Sequence, residues 1–269
     1  MKKLLAIFFI IASFVLYNSC DKNKNVVLFS IEDDKALGLQ VSNQIASDTV
    51  QFPVLSETAY PDAYLHINRI IGSVLNSGKV KYRNEFLWDV KIIHNDEVLN
   101  AFCTPGGYIY VYTGLIKYLD SEDQLAGVLG HEIGHADLRH SSRQLQNQYG
   151  ISFLLGLLLG ENPSQIEQIA GQIAGTVVGL KYSRTYESEA DDNSVSYLSG
   201  TNYGCNGASG FFKKLKDEGQ CESTQMVWLS THPAPCDRIE DIDAKAAELK
   251  CNTTELNPTS YQDFKNSLP

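Results

Sequence analysis

The chain has 269 residues, 43% apolar and 20% charged, enough for one sizeable core or a domain with an appendage. Its formal charge is −10, with 22 Lys and Arg against 32 Asp and Glu and no basic run. A nucleic-acid partner is thereby disfavoured, because counterion release needs clustered cations.

The first twenty residues, "MKKLLAIFFIIASFVLYNSC", place Lys2 and Lys3 before an apolar run from Leu4 to Leu16 and end in Cys20. This is the pattern of a bacterial export signal. The run falls short of the roughly 18 to 20 residues needed to cross a bilayer, so residues 1–19 are expected to be cleaved as a signal peptide. Cys20 is the expected lipidation site, and residues 20–29, with the polar "DKNKN", form a solvated tether. Loss of Lys2 and Lys3 takes the formal charge from −10 to −12. The expected location is the bacterial cell envelope, facing the periplasm, held to the membrane by a lipid anchor only. Residues 30–269 then form a single domain.

Helices are predicted over 30–47 and 61–77, the second carrying Tyr64, Leu65, Ile67, Ile70, Ile71 and Val74 at helical spacing. From 86 to 112 the runs "FLWDVKII", "VLNAFC" and "GYIYVYTG", separated by "HNDE" and "TPGG", predict a small antiparallel β-meander. Gly106 and Gly107 allow a tight turn, and Tyr108, Ile109 and Tyr110 follow in a strand. Either this is an ordinary hairpin, or its edge pairs with an extended protein or peptide substrate by β-augmentation. Cys103 beside it reads as a buried, unpaired thiol.

A helix starting at Ser121, with Gln124 completing an S-x-x-Q capping box, carries "LGHEIGHADLRH" at 129–140. Four helical residues turn the chain by about 400°, so His131 and His135 share a face and can chelate one ion. Glu132 points about 100° away from His131 and can reach a water held on that ion, the division of labour of an H-E-x-x-H motif. A catalytic tetrahedral zinc needs a third protein ligand and keeps one position open. The metzincin extension would require glycine at 138 and histidine at 141; Leu138 and Ser141 exclude it. His140 falls about 140° from His135 on a continuing helix and is read as a surface residue or an outer partner.

The apolar, glycine-punctuated stretch 150–180 is broken by Asn162 and Pro163 and reads as core helices or a flap over a cleft. Beyond it, "YSRTYESEADDN" places Glu187 and Asp191 four apart on one helix face. Glu187 can supply the third ligand, and Asp191 can accept the free ring N–H of a liganding histidine. A solvated acidic helix face is the other reading of this run. Cys205, Cys221, Cys236 and Cys251 permit three pairings, and in an exported chain they are read as two structural disulfides.

Four blocks, "NAFCTPGGYIYVYTGLI" (100–116), "LAGVLGHEIGHADLRHS" (125–141), "YSRTYESEAD" (182–191) and "STHPAPCDRI" (230–239), stand in the order of a known family. The chain resembles the HtpX/BepA-type zinc metallopeptidases, gluzincins that include the CAAX prenyl endopeptidases and the mitochondrial Oma-type proteases. The resemblance implies an α+β, mainly α, zincin-like fold with a small β-meander and an HExxH helix. It implies one Zn2+ per chain on His131, His135 and Glu187, with Glu132 as catalytic base. His232 would approach the metal, either in catalysis or as an inhibitory ligand at the water position, and Arg238 of "HPxxxxRI" would organise the site. It also favours the substrate-binding reading of residues 106–110. The implied activity is endopeptidase cleavage of envelope or misfolded proteins. Two rivals are an envelope chaperone or assembly lipoprotein with a latent metal site, and a deformylase-like amidase with Cys103 as third ligand.

Overall fold

A computed structural model describes residues 27–150, 179–221, 227–256 and 259–269, with 156, 171, 174 and 175 described singly. The expected export signal, Cys20, most of the expected tether and most of the apolar stretch 150–180 lie outside the described residues.

Helix α1 (Ile31–Ser47) opens on a complete capping box: Ser30 Oγ accepts from Asp33 N–H at 3.1 Å while the Asp33 carboxylate accepts from Ser30 N–H at 2.8 Å. Helix α2 (Pro61–Leu75) starts with proline at its first position and buries Tyr64, Ile67, Ile70, Ile71 and Val74 as one stripe. Leu65, one residue off that stripe, is 67% exposed.

Strands β1 (Asp89–Ile93), β2 (Ala101–Thr104) and β3 (Tyr108–Tyr112) form a sheet of order β1-β3-β2. The β2–β3 pair is antiparallel, as the tight Pro105–Gly107 turn requires, but β1 and β3 are parallel, with Asp89 opposite Tyr108 and Ile93 opposite Tyr112. The expected all-antiparallel meander is therefore corrected to a mixed sheet. Its cause lies in the link 94–100, which is pinned to the far end of β3: Asn95 N–H donates to Thr113 Oγ1 at 3.0 Å and Gly114 N–H donates to Asn95 O at 3.1 Å. The link crosses that end of β3, and β2 returns on its other side.

This order overturns a second expectation. β3 is hydrogen-bonded along both sides, and Gly106, Gly107, Tyr108, Ile109 and Tyr110 are buried, so none of them offers a free edge to a substrate. The glycines serve packing: Gly106 (φ 78°) lies so close to α1 that a Cβ would stand 2.9 Å from Lys35 Cα. The outer side of β1 is covered too, with Leu55 N–H donating to Ile92 O and His94 N–H to Pro53 O, both at 2.8 Å.

Short α3 (Thr113–Tyr118) leads to α4 (Glu122–Asp137), every residue of which is buried. Ser121 caps it, accepting from Gln124 N–H at 3.3 Å, but the Gln124 side chain takes the N–H of Asp120 instead of returning to Ser121. Helices α5 (His140–Tyr149), α6 (Arg184–Leu198), α7 (Gly207–Asp217), α8 (Val227–Thr231), α9 (Ile239–Leu249) and α10 (Thr259–Asn266) complete an α+β fold that is mainly α. Gly130 and Gly134 let α4 lie against α6, since a Cβ there would come within 2.7 Å of Ser194 Oγ and 3.0 Å of Ala190 O. The disulfide Cys205–Cys251 joins the approach to α7 with the end of α9. Cys221–Cys236 ties the chain beyond α7 to the 3-10 turn Pro235–Arg238. Cys103 is free and buried.

Candidate active site

The close α4–α6 contact decides the geometry. His131 and His135 project from α4 toward Glu187, which stands in the first turn of α6 behind the cap made by Ser183 Oγ and the N–H of Tyr186. The two Nε2 atoms are 2.9 Å apart; Glu187 Oε1 is 3.4 Å from that of His135 and Oε2 is 3.6 Å from that of His131. His232, just after α8, brings its Nδ1 to 3.2 Å from His131 Nε2 and 3.1 Å from Glu187 Oε1. One donor atom from each of these four residues lies within 4.8 Å of all the others, and each residue is at most 1% exposed.

Asp191, one turn beyond Glu187, accepts from His131 Nδ1 at 2.9 Å. That bond fixes the tautomer and leaves a lone pair on His131 Nε2, facing the cluster. Arg238 grips Asp191 with Nε at 2.6 Å and Nη2 at 2.5 Å and also donates to Glu187. Glu132 is fully buried beside His232, its Oε1 3.4 Å from His232 Nε2, and neither carboxylate oxygen has a hydrogen-bond partner among the described residues.

These surroundings set the charges. Burial pushes the Glu132 carboxyl up to about 7, opposed chiefly by the charge of His232. Burial also acts against the Glu187 carboxylate, but His232 and Arg238 outweigh it and hold that carboxyl well below the usual range. Asp191 is lowered in the same way, with Arg238 overcoming burial. Burial lowers His131 and His135, so both rings stay neutral, the form that binds metal. Two neutral imidazole nitrogens and an ionised carboxylate, aimed at one point, are the donor set that a catalytic zinc takes, so these residues fit that ion.

Cys103 stands apart from this set, its Sγ 3.6 Å from Ser141 Oγ, so the amidase-type ligand set is not the one the fold brings together. Of the two readings of His140 the structure shows the outer partner, since it is buried and its Nδ1 lies 2.9 Å from His135 Nδ1. The helix breaks at Arg139 (φ 59°, ψ 33°), so the rotation expected for a continuous helix does not apply. Sequence reasoning also missed two walls: Tyr182 stacks on His135 with centroids 3.9 Å apart, and Trp228 on His232 at 4.4 Å. No spacing rule signals either.

Residues 61–246 match peptidase family M48. The chain belongs to that family. It is thus a zinc-family metalloendopeptidase, with a mainly α, zincin-like fold. It is similar to the metalloprotease YcaL of Escherichia coli (strain K12), 30% identical over 217 residues, covering 77% of this chain and 75% of that protein. It is also similar to a putative beta-barrel assembly-enhancing protease of Vibrio cholerae, 32% identical over 217 residues, covering 71% of this chain. The mitochondrial metalloendopeptidase OMA1 of Schizosaccharomyces pombe is 26% identical, covering 77% of this chain and 61% of that protein. The match spans only 44% of the Vibrio protein's length.

Proposed function

We propose that this M48 peptidase is an exported endopeptidase that hydrolyses peptide bonds of envelope or misfolded proteins at the cluster of His131, His135, Glu187 and Glu132. The observation that carries it is the convergence of two histidines and a glutamate from two helices beside a buried carboxyl group that has no hydrogen-bond partner among the described residues. In this reading His131, His135 and Glu187 hold one zinc per chain, while Asp191 and Arg238 fix the orientation of His131 and Glu187. A zinc ion held there supplies Lewis acidity, acidifying water and polarising a carbonyl. Glu132 takes the proton from the attacking water and returns it to the departing amine, a task suited to a carboxyl titrating near the working pH. Glu132→Gln should keep zinc yet lose roughly 10²- to 10⁴-fold in casein cleavage; wild-type cleavage by that variant ends the assignment.

The envelope location rests on the signal-like residues 1–19, on Cys20 with the tether 20–29, and on the likeness to the putative beta-barrel assembly-enhancing protease of Vibrio cholerae. Residues 30–269 are taken as one peptidase domain. Acyl labelling of the chain and its loss in Cys20→Ala would test the anchor.

A second reading, a latent site in an assembly factor, is favoured by His232, whose Nδ1 sits among the donors while Trp228 stacks behind it. His232→Ala should then raise cleavage; an active wild type with no gain in the variant rejects latency.

A further inference from the structure

We propose that His140 and Glu189 are positioning residues for the metal centre: they form a hydrogen-bond relay that fixes the ring of His135, and Arg139 and Asp34 hold that relay in place. The inference rests on His135 being a metal ligand.

The two histidines of the motif reach a carboxylate by different routes. His131 Nδ1 meets Asp191 directly, whereas His135 Nδ1 meets another imidazole, His140 Nδ1 at 2.9 Å, whose Nε2 is 3.1 Å from Glu189 Oε2. An ionised carboxylate only accepts, so His140 Nε2 carries the proton there. His140 Nδ1 then offers a lone pair, and His135 Nδ1–H donates to it. The one arrangement of protons that satisfies a neutral pair leaves His135 Nε2 with its lone pair toward Glu187 and His131. Aromatic faces hold both rings in register, Tyr182 on His135 at 3.9 Å and Tyr186 on His140 at 4.2 Å with planes 9° apart.

A regular helix would carry His140 away from His135. Arg139 prevents this by adopting the left-handed conformation, which side chains with a Cβ disfavour, and a new helix restarts at His140. The conformation is held from a distance in sequence: Arg139 Nε is 2.5 Å from the fully buried Asp34 carboxylate, and Arg139 Nη2 donates to Phe29 O at 2.6 Å and Ser30 O at 3.1 Å. The start of α1 thereby sets the backbone that points His140 at a putting-in-place bond of the metal centre.

The test measures zinc dissociation constants by chelator competition, the visible spectrum of the cobalt(II) form, and the melting temperature of the metal-free protein. His140→Phe preserves a flat ring without nitrogens and should weaken zinc roughly 10- to 100-fold and change the cobalt spectrum. His140→Gln, whose amide oxygen and nitrogen can accept from His135 and donate to Glu189, should restore most of that affinity. Glu189→Ala, at a side chain 28% exposed, should weaken zinc about 10-fold with an unchanged metal-free melting temperature. The relay is overturned if His140→Phe and Glu189→Ala bind zinc like wild type while His135→Ala does not, or if His140→Gln loses as much as His140→Phe. Wild-type affinity in His135→Ala would remove the ligand assignment and the relay with it.

Discussion

Two buried glutamates share one site and live in opposite conditions. Glu187 is tied on every side, by Arg238, His232 and the motif histidines, and its carboxyl is held strongly acidic. Glu132, a few ångströms away across His232, accepts no hydrogen bond among the described residues and is pushed up to about 7. One carboxylate is built to stay charged and fixed, the other to exchange a proton, and the difference comes from their partners, since burial acts alike on both.

Breaking the tied side should have the largest effect. Arg238→Ala removes the buried cation that Glu187 and Asp191 share and should cost about 3 to 5 kcal/mol in urea denaturation of the metal-free protein. The loose side predicts a pH signature of slightly smaller size. Because the folded Glu132 titrates near 7 against an ordinary 4.5, folding favours its protonated form, and stability is lost as pH rises from about 4.5 to about 7. Glu132→Gln should remove that loss, worth about 3 kcal/mol at most, when melts of the metal-free proteins are compared at pH 5 and pH 8. Asp191→Asn weakens the link to His131 without emptying the site and should raise the zinc dissociation constant about 10- to 100-fold. The smallest effect is expected for Ser183→Ala, which removes the cap of the helix bearing Glu187 and should cost about 1 kcal/mol of stability.

Local rules carried the sequence reading as far as single helices go. A four-residue spacing placed His131 with His135 and Glu187 with Asp191, because helical geometry needs no knowledge of the rest of the chain. Strand order was not legible, since it depends on hydrogen bonds from Asn95 to Thr113 and Gly114 that form only after folding. Which of its two readings His140 takes was not legible for a similar reason: the left-handed Arg139 is stabilised by Asp34 of α1, and no neighbour in sequence announces it. Glu189 carries no spacing signal of its own, because its partner His140 comes from another helix. The disulfide partners, Cys205 with Cys251 and Cys221 with Cys236, could be fixed only by where α7 and α9 lie.

The glycine at 134 shows how far the demands of a metal can reach. A methyl group there would act as a wedge between two helix backbones, starting 3.0 Å from a carbonyl oxygen that cannot yield by itself. Coordination bonds tolerate errors of only about 0.2 Å, so a shim too thin to disturb an ordinary core would be enough to pull the carboxylate away from its imidazoles. Among the positions least open to substitution, therefore, is one that carries no side chain at all.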